Sequence, residues 1–266
     1  EQLFIFDTKG LLHKNRTDLN KYKQEFAQKE NISLKDCLNG ADVFIGCSSA
    51  NALPQEYIKS MKKDPIIFAL SNPIPEIFPE KIYEIHPNAF VATGRSDYEN
   101  QVNNVMGFPY IFRGALDVRA STINEEMKIA AAKAIANLAR EHVPDDVLKA
   151  YGGKDMKFGP RYIIPTPFDA RLISTVSLAV AKAAVASGVA KKPIKDWDKY
   201  KLELQARRDP TVNSLSLIFE KLNTYDPDII CLQEVDATLI SEIEMEFKNY
   251  SLAYQNDKTR IKKLKI

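Results

Sequence analysis

Short apolar runs separated by polar, amphipathic segments are the feature that most constrains the fold of this chain. Each run has the length of one buried strand, and the runs are "LFIFD" (3–7), "ADVFIG" (41–46), "PIIFAL" (65–70) and "AFVATG" (89–94). One of the segments between them, "LPQEYIKSMKK", has Pro54 in its first turn, where a helix accepts proline. The alternation predicts βαβ units in a parallel sheet, and the near-continuous apolar strands predict helices over both faces of that sheet.

Two alanine-rich segments in the second half of the chain predict long helices. "INEEMKIAAAKAIANLAREHV" (123–143) has its acidic residues in the first turn, which is the charge order that the helix dipole favours. "ISTVSLAVAKAAVASGVA" (173–190) contains Gly188, which is suited to ending a helix. The small side chains on both segments predict close packing against the sheet, whereas "YIFRGALDVRAS" (110–121) has a mixed pattern.

Composition excludes several classes of function. The chain is 45% hydrophobic and 27% charged, which is ordinary for a globular protein, and its net charge of +2 provides no field for nucleic acid or a membrane surface. Its three cysteines stand far apart, as expected for free thiols in a reducing compartment, and no apolar run reaches transmembrane length. We therefore expect a cytoplasmic protein that binds neither nucleic acid nor a membrane.

Small polar groups follow each of the apolar runs. They are Asp7, the group Gly46–Ser49, the group Ser71–Pro73 and the group Thr93–Arg95. Ligands of an open parallel sheet bind at the carboxyl ends of its strands, and an aspartate there can accept hydrogen bonds from a ribose diol. Aspartate also caps turns, and Asn72 before Pro73 is typical of a turn, so each residue alone leaves both interpretations open.

Three long segments resemble a known family. They are "FDTKGLLHKNRTDLNKYKQEFA", "DPIIFALSNPIPEI" and "ATGRSDYENQVNNVMGFPYIFRGALDVRASTINEEMKIAAAKAIANLA". Together they are similar to the nucleotide-binding domain of bacterial malic enzyme, and the resemblance extends from residue 1 to about residue 208. It implies oxidative decarboxylation of malate to pyruvate and CO₂ with NAD or NADP and with Mg²⁺ or Mn²⁺, and a homodimer for the complete enzyme.

The resemblance also gives a fold class and a domain division. It implies an α/β fold with an incomplete, Rossmann-like, doubly wound parallel sheet flanked by helices and followed by a short C-terminal extension. Residues 1–190 are then a partial NAD(P)-binding domain, and residues 191–266 are a helical linker with a truncated remnant of another domain. The phosphate-binding glycine loop, the catalytic Tyr and Lys and the metal carboxylates of the family would precede residue 1. We assign no catalytic or metal-binding residue, and we expect no malate turnover from this chain alone.

On the cofactor side, the resemblance places Asp7 against the adenosine ribose. Gly46 and Ser48 would allow the backbone to approach the cofactor closely. The acidic Asp7 favours NAD, whereas nearby cations could bind a 2′-phosphate and leave NADP open; those cations are Lys9, Lys14 and Arg16.

On the substrate side, the resemblance places Asn72 beside the nicotinamide and malate. Asn103 and Asn104 would lie on the opposite wall of the pocket. A carboxamide both donates and accepts hydrogen bonds, so it can bind a carboxylate, a hydroxyl or the amide of the cofactor without adding charge. The alternative is a polar loop in which the asparagines bond their own backbone.

The tail fits two families. "RRDPT…IFEKL" is similar to a segment that leads into a phosphotransacetylase-like domain in long bacterial malic enzymes. "YDPDIICLQEVD" (225–236) instead resembles a strand of endonuclease/exonuclease/phosphatase-type enzymes, in which Glu234 would bind a metal. The alternatives to a malic enzyme portion are a non-catalytic relic or interaction module and a fragment of a metal-dependent phosphodiesterase. A helix–strand–helix appendage without function is also compatible with the tail.

Overall fold

The computed structural model describes residues 2–152 and 156–207, and the backbone of three further strands between residues 229 and 265. The chain divides into two compact units, residues 1–195 and residues 196–266. The division of the chain into the two predicted domains stays a prediction.

A parallel three-stranded sheet is the centre of the first unit. Its strands are β3 (Val43–Gly46), β4 (Ile66–Ala69) and β5 (Phe90–Thr93), in that spatial order. Gly46 is opposite Ala69, and Ala69 is opposite Thr93, so the three strands end together at one edge of the sheet. The predicted parallel α/β arrangement, with helices beside the sheet, is confirmed.

Short helices cover one face of this sheet. They are α2 (Leu34–Leu38), α3 (Gln55–Ile58) and α4 (Pro79–Tyr83). Ile58 and Ile82 are fully buried in a core with Ile67 of β4. On the other face, Val43 and Ile45 of β3 remain 45% and 62% exposed, so the expectation of helices over both faces is wrong at this strand.

The first apolar run does not join the parallel sheet, contrary to the strand expected at residues 3–7. Phe6–Asp7 (β1) pairs antiparallel with Gly10–Leu11 (β2), because Gly10, at φ +102°, allows the tight reversal that returns the chain. A short helix, α1 (Lys21–Gln24), follows, and the side chain of Asn20 caps it. Asp7 therefore does not end a strand of the described parallel sheet.

The second half of the unit is a helical layer. Asn104–Met106 form a 3₁₀ turn, which is followed by α5 (Phe108–Asp117), α6 (Glu125–Leu138), α7 (Asp145–Ala150) and α8 (Arg171–Ala186). The two predicted long helices are confirmed as α6 and α8, and α8 ends just before Gly188, at φ +76°. Helix α8 packs against both α5 and α6, so the small residues serve contacts between helices more than contacts with the sheet.

The close contact between α5 and α8 depends on Gly114. A Cβ atom at this position would lie 2.5 Å from the carbonyl oxygen of Ser177 and 2.9 Å from Cβ of Val180. The absence of a side chain at Gly114 therefore sets the distance between the two helices.

The second unit begins with α9 (Trp197–Ala206), which falls within the predicted helical linker. Three antiparallel strands, β6 (Ile229–Gln233), β7 (Tyr250–Tyr254) and β8 (Arg260–Lys265), form a separate sheet in the order β6-β8-β7. Glu234, the proposed metal ligand of the tail, lies outside the described residues. In the described part of the chain, every helix is too short or too polar to span a bilayer.

Candidate functional site

The edge where the parallel strands end brings together most of the predicted site residues. Ser48 follows β3, and Ser71 and Asn72 follow β4. Gly94 follows β5 directly. These groups are small and uncharged, which suits a site where a dinucleotide approaches the backbone closely.

Glu76 links the ends of β3 and β4. Its side chain is fully buried, and Oε1 accepts hydrogen bonds from the backbone N–H of Ser48 at 2.7 Å and from the Ser48 hydroxyl at 3.2 Å. Oε2 accepts a hydrogen bond from the backbone N–H of Ser71 at 3.0 Å. A Cβ atom at Gly46 would lie 2.6 Å from Cδ of Glu76, so Gly46 makes room for this carboxylate in addition to its predicted role beside the cofactor.

Asn72 lies between the ends of β4 and β5. Its carboxamide occupies the space that a Cβ atom at Gly94 would need, and the residue is exposed to solvent. The following peptide, Asn72–Pro73, is cis. Arg95 donates a hydrogen bond from Nη1 to the carbonyl oxygen of Pro73 at 2.9 Å, and its remaining nitrogens bind Asp97 at 2.7 and 2.8 Å. The turn that carries Asn72 is thus attached to β5 as well as to β3.

Asn103 and Asn104 begin beside the end of β5. The backbone N–H of Val102 donates to the carbonyl oxygen of Thr93 at 2.8 Å, which brings the chain back to the strand end that Asn72 contacts. Oδ1 of Asn103 accepts a hydrogen bond from the N–H of Val105 at 3.0 Å, as the alternative interpretation of a self-bonded loop expects. Asn104 is exposed.

Asn100 is a residue of this region whose importance the sequence did not reveal. It is only 6% exposed, and its Nδ2 donates to the carbonyl oxygens of Val91 at 2.9 Å and Pro160 at 2.8 Å. Its Oδ1 accepts from the N–H of Ile163 at 2.8 Å. Asn100 therefore attaches the loop that contains Pro160 and Ile163 to β5.

The carboxylate of Asp7 is occupied by donors of its own segment. Oδ1 accepts from Nη1 of Arg16 at 2.8 Å and from the N–H of Lys9 at 3.0 Å, and Oδ2 accepts from Nη2 of Arg16 at 3.0 Å and from Nζ of Lys23 at 2.6 Å. These hydrogen bonds, those from Arg16 above all, hold the pKa of Asp7 well below its ordinary value. A carboxylate has about four lone-pair positions, so a ribose diol would have to displace one of these donors.

The other predicted residue of the hairpin, Lys9, is more accessible. Its Nζ contacts Asp18 at 2.9 Å, and its side chain is 67% exposed. Arg16 also binds Asp18, so the cluster contains two carboxylates and three cations, Lys9, Arg16 and Lys23. Among the described hydrogen bonds and ion pairs, none joins this cluster to Gly46, Ser48 or Asn72.

Metal-binding groups are not clustered in the described residues. No group of at least three His, Cys, Asp or Glu side chains there is arranged to hold a metal ion. The structure thus assigns none of these residues to the divalent metal that the resemblance implies.

A parallel sheet with small polar groups at its carboxyl edge is the architecture of a dinucleotide-binding α/β domain of the Rossmann type. Residues 1–149 match the family model described as "Malic enzyme, NAD binding domain". The chain accordingly belongs to the malic enzyme family.

Individual relatives agree with this assignment. The NADP-dependent malic enzyme of Rhizobium meliloti is 52% identical over 258 residues, which are 96% of this chain and 33% of the relative. The NAD-dependent malic enzyme of the same organism is 52% identical over 202 residues, 75% of this chain and 26% of the relative. The crystal structure of Entamoeba histolytica malic enzyme superposes with a TM-score of 0.65 at 33% identity, covering 82% of this chain and 44% of that one. The chain thus spans from about a quarter to less than half of the length of these relatives.

Proposed function

We propose that this chain supplies the cofactor-binding face and part of the malate site of an enzyme that converts malate to pyruvate and CO₂ with NAD(P). The observation that supports this most directly is the common edge at which Ser48, Asn72 and the segment leading to Asn103 and Asn104 follow neighbouring strands. NAD(P)⁺, when bound, would supply the acceptor for the hydride that leaves the hydroxyl-bearing carbon of malate, while the hydroxyl proton is released and CO₂ is lost from the resulting keto acid.

The chain's own residues would bind and orient the reactants. Asn72 can donate from Nδ2 to a carboxylate or accept at Oδ1 from a hydroxyl, and its contact with Gly94 limits where the carboxamide can point. Asn104 is exposed and offers the same two functions. Because these groups are uncharged, they would hold malate beside a nicotinamide without adding a fixed charge to the site.

Complementation tests this function. The purified chain is mixed with the separately produced amino-terminal part of the Rhizobium meliloti NADP-dependent malic enzyme, malate, Mn²⁺ and either NAD or NADP. We expect neither component alone to reduce the cofactor and the mixture to do so. Asn72→Ala should lower the rate by about 100-fold, as loss of an oriented polar group at a reacting centre commonly does, and Asn15→Ala, on an exposed loop, should leave it unchanged. A folded chain that gives no malate-dependent reduction in the mixture and no binding of NAD(P)H would contradict the proposal.

We further propose NADP as the preferred cofactor. The support is chemical: the carboxylate of Asp7 is already held by Arg16 and Lys23, whereas the side chain of Lys9 is largely exposed, and its Nζ, whose described partner is Asp18, could turn to a 2′-phosphate. The name of the Rhizobium meliloti relative that covers most of this chain points the same way, although the similar NAD-dependent enzyme of that organism shows that the family includes both cofactors.

Exchange of one lysine tests the cofactor preference. Lys9→Ala should weaken NADP binding by about tenfold, because a charge-assisted hydrogen bond is lost, and should leave NAD binding unchanged. The matched control is Lys21→Ala, which also removes one lysine charge from this segment. The Nζ of Lys21 lies over the ring of Tyr22, 4.8 Å from its centroid, and we assign it no contact with the cofactor. Titration of each cofactor by calorimetry measures both effects, and equal losses for NAD and NADP would contradict the assignment of Lys9.

A further inference from the structure

Glu76 is a buried charge that no part of the proposed chemistry uses. Its side chain has no exposed surface, and its described hydrogen-bond partners are uncharged: the N–H and hydroxyl of Ser48 and the N–H of Ser71. Burial of a carboxylate is costly unless donors replace the lost water. Here the donors come from two strand ends, so the carboxylate joins parts of the chain that are far apart in sequence.

Further contacts make this junction rigid. The backbone N–H groups of Asn51 and Leu53 donate to the carbonyl oxygens of Pro75 and Glu76, both at 3.0 Å. The segment after β3 is therefore attached to the turn after β4 by both backbone and side chain. On the opposite side, the hydrogen bond from Arg95 to Pro73 attaches the same turn to the end of β5.

We propose that Glu76 is a positioning residue, which holds the end of β3 at Ser48 against the turn that carries Asn72, so that Asn72 is placed for the nicotinamide half of the cofactor before the cofactor binds. Glu76 does not itself touch the cofactor. This inference rests on the proposed function, because it assigns to Asn72 a place beside the nicotinamide.

The hydrogen-bond donors around residue 76 require a carboxylate and not a carboxamide. Each oxygen of Glu76 accepts a backbone N–H from a different strand end. Glutamine has the same shape but only one acceptor oxygen, and its NH₂ group would face one of those N–H donors. Either Ser48 or Ser71 would lose its buried partner, and the turn bearing Asn72 could shift away from β3.

The test compares two ligands with the chain and its Glu76→Gln variant. NADPH contains the nicotinamide half, whereas adenosine 2′,5′-bisphosphate contains only the adenine half. We expect Glu76→Gln to weaken NADPH binding by about tenfold, because a buried donor is left unpaired, and to leave binding of adenosine 2′,5′-bisphosphate unchanged. The control, Glu80→Gln, makes the same chemical change at an exposed carboxylate that accepts a hydrogen bond from Tyr98 and should bind both ligands like the wild type.

Amide hydrogen exchange measured by NMR provides a test that does not depend on ligand binding. The N–H groups of Ser48 and Ser71 should be protected in the wild type, and at least one should exchange about tenfold faster in Glu76→Gln, since one loses its acceptor.

Three outcomes would overturn the proposal: unchanged NADPH binding by Glu76→Gln, equal loss of both ligands, or unchanged exchange at both serines. Equal loss would show that Glu76 supports the fold as a whole. Failure of the folded wild-type chain to bind NADPH, together with no malate-dependent reduction in the complementation mixture, would instead contradict the proposed function, so the two failures are distinguishable.

Discussion

At the scale of single residues, charge pairing controls the protonation of Asp7. Arg16 and Lys23 lower its pKa, so the folded chain keeps this carboxylate charged at pH values where an unfolded chain binds a proton. An unfolded aspartate has a pKa of about 3.9. The stabilisation from Asp7 should therefore be complete above about pH 5 and should be lost as the pH falls through about 4 towards the lower pKa of the folded state.

Asp7→Asn tests this pH dependence. The variant should unfold at a lower temperature than the wild type at pH 7, and the difference should become smaller at about pH 2.5, where the wild type has lost part of the same contribution. Thermal unfolding followed by circular dichroism measures the difference in unfolding temperature between the variant and the wild type at each pH. The control is Asp42→Asn, which removes an exposed ion pair with Lys62 and should have little effect at either pH. A difference that stays constant or grows on acidification would contradict the assigned role of Arg16 and Lys23.

The role of a residue was predictable from the sequence only where its hydrogen-bond partner lies close to it in the chain or where its residue type is characteristic of that role. Asn20 caps α1 by accepting a hydrogen bond from the N–H of Lys23, a partner in the adjacent turn. The partners of Glu76 and Asn100 include Ser48 and Ile163, which are 28 and 63 positions away, so no local pattern specifies them. The only hint in the sequence for Glu76 is that a carboxylate stands between Pro75 and Ile77 in the turn after β4, which does not indicate its partners.

At the scale of secondary-structure elements, the contact between α5 and α8 leaves no room for a side chain at Gly114. Gly114→Ala would place a methyl group against the backbone of Ser177, which cannot move without moving α8. We expect a loss of about 1–3 kcal/mol in the free energy of unfolding, although alanine is the better helix former.

Gly107→Ala is the control for this substitution. A Cβ atom there would lie 3.7 Å from Ile111, an ordinary contact, so we expect a change within about 0.5 kcal/mol. Urea denaturation of both variants provides the comparison. Equal stability of the two would show that α5 can move away from α8 without cost.

Strand positions were predictable because β3, β4 and β5 are short apolar runs between helical segments. Helix α5 was not, since its aromatic and β-branched residues and Gly114 are weak helix formers, and the contact with α8 stabilises it. The run that contains β1 resembles a sheet strand in composition, but the reversal at Gly10 pairs it with β2.

At the scale of the whole molecule, β3 is an edge strand of the described sheet and exposes Val43 and Ile45 on one face. Edge strands with exposed apolar side chains promote self-association, and a lysine on the edge prevents it. We expect the purified chain to form larger species as its concentration rises and Ile45→Lys to remain monomeric.

Sedimentation velocity measures this difference. Ile129→Lys is the matched control, because Ile129 is 52% exposed but lies on helix α6 and not on a strand. It should self-associate as the wild type does. A monomeric wild type, or an equal effect of both lysines, would contradict the role of the β3 edge.

The close contact between Gly46 and the carboxylate of Glu76 also has an evolutionary consequence. Because the carboxylate fills the space that a side chain on β3 would need, the two positions cannot vary independently. A homologue with a larger residue at the first position must carry a shorter one at the second, and it must then satisfy the amides of the two strand ends by other means. Paired substitution at these sites would therefore mark the point in the family tree where the edge of this sheet was rebuilt.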